Sequence, residues 1–128
     1  MTKNEFYNKF FIAFASDIPE KDIEKYVVST GDYIWHIFSW DLLDESSYLV
    51  GDEARRAYDK VDKSDACYIE WFQDDCTKKL PQNLCTAVAL DDLIEVYVAD
   101  RDFKWAYIKT HENDWCGPYF IKKKENGN

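Results

Sequence analysis

The chain has 128 residues, 46% of them hydrophobic and 17% aromatic, which is enough apolar material for the core of one domain and argues against disorder. Its formal net charge of −9 and sequence pI of about 4.6 would repel a phosphate backbone or an anionic membrane surface, and would attract a basic protein. The composition therefore disfavours nucleic-acid and membrane binding, and we expect a single domain over residues 1–128 with a frayed tail over residues 122–128.

Helical periodicity dominates the first part of the chain. Phe6, Phe10 and Phe14 recur at helical spacing within residues 4–15 and predict an amphipathic helix. Pro19, with acidic residues after it, is typical of a helix start and predicts a second helix that ends near Gly31. A third helix is predicted over residues 50–61, where apolar residues form a narrow stripe.

Residues 33–40, with the sequence YIWHIFSW, give the strongest strand signal. They are apolar on both faces, so we expect a central strand with cover on each side. Residues 85–90 fit either a short strand or a helical turn. Further strands are predicted at residues 66–72, 93–99, 103–109 and 119–121, the middle two as a hairpin, with loops at residues 73–84 and 111–118.

Helices come mainly first and antiparallel strands mainly later, which predicts an α+β fold with N-terminal helices packed on a mainly antiparallel sheet. The predicted strands alternate or run apolar, so their large side chains should form the core. We expect the following residues to be buried in one sheet: Trp35, Ile37, Ile69, Trp71, Val96 and Val98.

The cysteine pattern argues against a structural metal. Cys67, Cys76, Cys85 and Cys116 form no C-x-x-C pair, and the chain has only two histidines, so we expect no metal and no cofactor. The apolar run at residues 10–15 is too short for a signal peptide or a membrane span. We therefore expect a cytoplasmic protein whose thiols are free.

Familiar catalytic signatures, such as a glycine-rich phosphate loop or a G-x-S-x-G elbow, are absent. His36 could act as a general base with Asp41, or it could be a half-buried histidine bonded to the backbone or to a carboxylate. His111 and Glu112 lie at a predicted strand end, where functional side chains are common, although consecutive strand residues would point to opposite faces. Cys116 could be a reactive thiol or a packing residue.

Acidic residues are densest between residues 41 and 75, where eleven acids against four bases account for −7 of the net charge of −9. This stretch could be an ordinary solvated surface, or it could focus a negative field on one face. Trp40 and Tyr48 flank a polar connection and could supply the aromatic anchors that interfaces favour. The candidate binding residues are Trp40, Asp41, Asp44, Glu45, Tyr48, Asp74, Asp75, His111 and Glu112.

The segments at residues 35–40 (WHIFSW), 110–112 (THE) and 117–120 (GPYF) resemble a family of small bacterial proteins classed as a domain of unknown function. The resemblance extends from about the second helix to Phe120. It implies no activity and no catalytic residues. Small acidic bacterial proteins of this kind are often toxin-immunity proteins, which is an analogy at the level of the family.

Three functions from different classes remain open. The first is a non-enzymatic protein that binds and neutralises a basic protein partner, as an immunity protein does. The second is a small enzyme or ligand-binding domain that uses His36 or His111 with nearby carboxylates. The third is an oligomeric interaction module. The absence of convergent catalytic motifs favours the first and third, and the acidic bias favours the first over the third.

Overall fold

The computed structural model describes residues 1–31, 33–112 and 117–123. Short 3₁₀ turns lie at Val28–Thr30, Glu45–Ser47 and Gln82–Leu84. Helices α1 to α5 span Lys3–Phe14, Glu20–Tyr26, His36–Ser39, Asp52–Lys60 and Ala87–Leu90. Strands β1 to β6 span Tyr48–Val50, Ala66–Glu70, Lys78–Lys79, Val96–Asp100, Trp105–Lys109 and Tyr119–Lys122.

The strands form one antiparallel sheet in the order β1-β6-β5-β4-β2-β3. The predicted hairpin is present as β4 and β5, with Val96 opposite Lys109 and Ala99 opposite Ala106. The α+β fold, with N-terminal helices packed on an antiparallel sheet, is therefore confirmed. Strands β1 and β3 are the two outer strands.

Helix α1 covers one face of the sheet. Thr2 and Glu5 form a capping box that satisfies the first free amides of this helix. Phe6 and Phe10 are fully buried and pack with sheet residues such as Tyr97. Full burial of such a side chain contributes roughly 1.5–3 kcal/mol, so the predicted phenylalanine stripe is what holds α1 on the sheet.

Helices α4 and α5 cover the opposite face. Alternation along β4 divides its side chains between the two cores, since Tyr97 packs on the α1 side and Val98 on the α4 side. Tyr58 of α4 is fully buried, and its ring stacks on Tyr107 of β5 with centroids 4.5 Å apart. The sheet thus lies between two helical layers.

The strand predicted at residues 33–40 is wrong, because this segment contains the one-turn helix α3. Ile34, Trp35, Ile37 and Phe38 are all buried, so no exposed face imposes a period on the sequence. Trp35 and Ile37 are therefore buried as predicted, but in the helical layer and not in a strand. Trp71 is also buried, just beyond the end of β2.

Other boundaries differ from the prediction at both edges of the sheet. Val50 ends strand β1 and does not begin a helix, because Gly51 takes a positive φ of 67° before α4 starts. The loop predicted at residues 73–84 contains β3. Residues 85–90 contain α5, which is the helical alternative of the two left open for them. Lys122 is the last residue of β6; Cys116, the rest of residues 113–116 and residues 124–128 of the predicted tail lie outside the described residues.

Among the helices of the described ranges, none combines the length and apolar character needed to cross a membrane.

Candidate functional site

A buried carboxylate, Glu95, lies immediately before β4 and faces the N-terminal helices. Its Oε1 accepts hydrogen bonds from Trp35 Nε1 at 3.1 Å and from the backbone amide of His111 at 3.2 Å. The same oxygen lies 2.6 Å from His111 Nδ1, and the Tyr97 hydroxyl bonds to Oε2. The side chain is fully buried, yet each of its oxygens has a partner, so the carboxylate is well satisfied.

The chemistry of these partners fixes the proton on the His111 ring. An indole N–H and a backbone amide can only donate. Burial, and then the charge of Glu95, raises the pKa of Tyr97 well above its ordinary value, so this hydroxyl stays protonated and donates. When Glu95 is ionised it can only accept, and His111 Nδ1 then donates to it. In the neutral ring this leaves the lone pair on Nε2.

His111 and Glu112 have neighbouring side chains, because the condition for opposite faces, a strand that continues through both residues, is not met. Strand β5 ends at Lys109, so the pleat no longer separates consecutive side chains. His111 Nε2 lies 3.9 Å from Glu112 Oε1, and the two side chains are 28% and 51% exposed. The structure therefore presents an imidazole nitrogen and a carboxylate oxygen together at the surface.

Aromatic rings surround His111. Its ring centroid lies 5.0 Å from that of Tyr33, 5.7 Å from Trp35 and 5.6 Å from Phe72. Phe72 is half exposed, although it is a large apolar side chain. The segments around Trp35 and around His111, far apart in sequence, thus meet at Glu95, which sequence analysis did not include among the site residues.

His36 lies next to this cluster, and its ring is held by hydrogen bonds to Tyr26 and Thr30. Its Nδ1 lies 3.1 Å from the carbonyl oxygen of Tyr26 and 2.6 Å from Thr30 Oγ1, and its ring packs edge-on against Trp35. Burial lowers the pKa of His36; the Tyr26 carbonyl and then the carboxylate of Glu112 oppose that shift in part. Of the two roles expected for His36, the structure favours the backbone-bonded one.

In the three described ranges, no group of three or more histidine, cysteine, aspartate or glutamate side chains could hold a metal ion. Cys67, Cys76 and Cys85 are free thiols, of which only Cys76 is exposed. The cluster around Glu95 is therefore best described as a hydrogen-bonded histidine site.

A second feature is an acidic strip, defined here as residues 40–53 from Trp40 to the first turn of α4. The strip contains no lysine or arginine. It contains five of the eleven acids of residues 41–75, namely Asp41, Asp44, Glu45, Asp52 and Glu53. Burial, and then the charges of Asp41 and Glu45, raises the pKa of Tyr48, so these three predicted site residues lie near one another.

Apolar side chains are exposed within this strip. Trp40 is 52% exposed, and its ring packs on Tyr26 with centroids 5.4 Å apart. Leu49 and Val50 of the outer strand β1 are also exposed, Val50 by 51%. Asp44 caps the following 3₁₀ turn through Ser46 N at 3.0 Å. The strip therefore combines charge, exposed apolar surface and a sheet edge.

One end of the strip borders a groove of about 420 Å³ with both signs of charge. Its lining includes Asp17, Asp44, Lys122 and Lys123. These lysines reduce the negative field at Asp44. Glu45 and Glu53 are consequently the better positions at which to test the charge of the strip.

Asp74 and Asp75 do not join the strip. Asp74 Oδ2 accepts a hydrogen bond from the backbone amide of Glu70 at 3.0 Å, and its Oδ1 pairs with Lys78 Nζ at 3.0 Å. The backbone carbonyl of Asp75 accepts from the amide of Lys3. Both residues lie between β2 and β3, at the sheet edge opposite β1, so they have structural contacts of their own.

Comparison with known proteins gave one match. The family model described as "Domain of unknown function (DUF4275)" matches residues 3–120. No curated protein and no solved structure matches the chain. The matched range contains Trp35, Glu95, His111 and the whole acidic strip.

Proposed function

The chain belongs to the DUF4275 family of domains of unknown function, and we propose that it is a non-enzymatic protein whose acidic strip binds a basic protein partner. The observation that carries this proposal is the exposure of Trp40 and of the edge-strand residue Val50 within residues 40–53, a segment with five acids and no lysine or arginine. In such a complex the partner's basic surface would be covered and neutralised, as in a toxin-immunity pair.

The two edges of the sheet are built differently. The outer strand β3 consists of Lys78 and Lys79, and a short edge strand with lysines is a common protection against unwanted pairing. The outer strand β1 instead exposes Leu49 and Val50. A partner segment could add to β1 through main-chain hydrogen bonds while these side chains and Trp40 supply apolar contact.

Charge supports a basic partner over a second copy of the same chain. Two copies paired through β1 would bring two acidic strips together, and like charges opposed across an interface are unfavourable. A basic surface would instead be steered towards the strip, which mainly raises the association rate. The electrostatics therefore favour a heteromeric complex over the oligomeric module.

The test measures association kinetics with a partner captured from lysate of the native host and then purified. Between about 0.01 M and 0.15 M salt the Debye length falls from roughly 30 Å to about 8 Å, so the association rate should fall while the dissociation rate changes less. Glu45→Lys with Glu53→Lys should slow association. Trp40→Ala should mainly speed dissociation, because a half-exposed aromatic is a typical anchor.

The matched control is Asp65→Lys with Asp102→Lys, which changes the net charge by the same amount. Both residues are exposed, Asp65 just before β2 and Asp102 between β4 and β5, away from β1 in the sheet. A general effect of net charge would slow association equally in both double variants. An equal effect, or an association rate independent of salt, would reject the acidic strip as the binding surface.

A further inference from the structure

The His111 cluster presents a carboxylate oxygen and, when the ring is neutral, an imidazole lone pair at the surface. The backbone amide and the Nδ1 of His111 both bond to Oε1 of the buried Glu95, so the ring cannot turn without breaking a contact in the core. The amide of Glu112 is held by Thr110 Oγ1 at 3.2 Å. His111 Nε2 and Glu112 Oε1 lie 3.9 Å apart at the surface, where a ligand with two donors can reach both.

The charge around these acceptors is negative. Glu95 and Glu112 contribute two carboxylates, and the salt bridges found in the described part of the chain join neither of them to a lysine or an arginine. Burial lowers the pKa of the neighbouring His36, which keeps that ring neutral at pH 7. An anionic ligand would be repelled here, whereas a cation would be attracted.

Aromatic rings form the walls beside the acceptors. Tyr33 is partly exposed and Phe72 is half exposed, and their rings lie 6.0 Å apart and nearly perpendicular, with His111 in contact with both. Aromatic faces attract cations, and they stack with flat ones. The site therefore offers both the charge and the surfaces that a planar cation requires.

We propose that the surface formed by Tyr33, Phe72, His111 and Glu112 is a binding site for a guanidinium group. A guanidinium carries several N–H donors in a flat fork, so it can donate to His111 Nε2 and Glu112 Oε1 together while its face lies on an aromatic ring. An ammonium is a compact point charge and does not match two separated acceptors beside flat walls as well. Glu95 is a positioning residue, since it holds the His111 ring in place and does not itself face the guanidinium.

The guanidinium can belong to an arginine of a protein partner or to a small free molecule. The first source rests on the proposed function, because it requires a basic partner; the guanidinium chemistry itself does not. Trp40 packs on Tyr26, whose carbonyl bonds to His36, and His36 packs on Tyr33. This chain of contacts links the acidic strip to the site, so one partner could engage both.

The experiment is an NMR titration of the whole chain with N-acetylarginine amide, followed at the His111 ring and the Trp35 indole. N-acetylcitrulline amide is the matched probe, since it has nearly the same shape without the charge. We expect saturable shifts with the arginine compound and none with the citrulline compound at equal concentration. Equal shifts with both, or none with either, would overturn the proposal.

Variants give a second, independent readout. Glu112→Gln should weaken arginine binding up to about fivefold, the factor that corresponds to an exposed ion pair, and Phe72→Leu should also weaken it. Both side chains are exposed, so the fold should persist, and Asp102→Asn is the matched control that should bind as the wild type does. Unchanged affinity in Glu112→Gln would reject the site.

The two proposals can fail separately. Glu45→Lys with Glu53→Lys should leave the affinity for N-acetylarginine amide unchanged while it slows association with the captured partner. Arginine binding without charge-steered association would reject only the proposed function, and the reverse result would reject only this site. In the complex, Glu112→Gln should speed dissociation if a partner arginine occupies the site, and an unchanged dissociation rate would reject that occupant.

Discussion

The Tyr97 hydroxyl offers a direct test of the charged centre at Glu95. Tyr97 is fully buried, and its hydroxyl donates to Glu95 Oε2. Tyr97→Phe keeps the ring and its contacts with the α1 core but removes this donor. Oε1 keeps its bonds to Trp35 and His111, so the substitution isolates one hydrogen bond to a buried carboxylate.

The expected loss of unfolding free energy depends on the kind of group that accepts the hydrogen bond. Hydrogen bonds to charged groups contribute about 1.5–3 kcal/mol, and a buried acceptor left without its donor adds a desolvation penalty. We therefore expect Tyr97→Phe to lower the free energy of unfolding by about 2–3 kcal/mol. For a domain of this size that corresponds to a fall in Tm of about 6–12 °C, a large part of a total stability of roughly 5–15 kcal/mol.

Tyr58→Phe is the matched control for this prediction. Tyr58 is also fully buried, but its hydroxyl donates to the neutral carbonyl of Leu84 at 2.7 Å. Loss of that bond should cost about 1 kcal/mol. Urea unfolding at pH 7, followed by fluorescence and circular dichroism, gives both values. Equal losses in the two variants would refute the assignment of Glu95 as a charged acceptor, as would an undiminished effect of Tyr97→Phe in a Glu95→Gln background.

Two further predictions concern pH and surface charge. Burial lowers the pKa of His36 below its ordinary value of 6.5, so the unfolded chain binds a proton at this ring more readily than the folded protein does. The free energy of unfolding should therefore fall as the pH drops below about 6.5. His36→Gln should flatten that part of the curve of unfolding free energy against pH. Asp74→Ala should destabilise the protein by about 1–2 kcal/mol in urea, because it leaves a backbone amide without its acceptor. Asp75→Ala should change stability by less than about 0.5 kcal/mol, because the Asp75 contact found in the structure uses its carbonyl and not its side chain; similar effects at both positions would contradict this assignment.

Sequence patterns predicted elements with a clear period or a clear turn. Partial burial imposes a period of 3.6 on α1, which its phenylalanine stripe shows. The hairpin of β4 and β5 is buried on both faces, and its signal was instead the pair of apolar runs on either side of a short polar turn. Residues 33–40 lack such a period, since most of their side chains are buried on every side. Aromatic and β-branched residues there favoured a strand, and tertiary packing placed a helical turn instead.

The site could be predicted only in part for a related reason. Trp40, Tyr48 and the acids near them are neighbours in sequence, so their grouping in the acidic strip follows from local chain geometry. Glu95 receives its partners from Trp35, sixty residues before it, and from His111, sixteen residues after it. In the sequence it looks like the polar position of an alternating strand. A single carboxylate between Ile94 and Val96 was the only local signal.

Separate measurements of stability and of arginine binding can decide between a structural and a functional interpretation of the Glu95 cluster. Tyr97 and Trp35 contact Glu95 from within the core, whereas Glu112 and Phe72 lie on the exposed side of His111. Tyr97→Phe should therefore lower the free energy of unfolding and leave the affinity for N-acetylarginine amide close to that of the wild type. Glu112→Gln should lower the arginine affinity and leave the free energy of unfolding unchanged, because it removes an exposed negative charge without disturbing a buried bond. If arginine affinity instead follows stability across both variants, the cluster serves the fold alone, and the guanidinium site at His111 must be rejected.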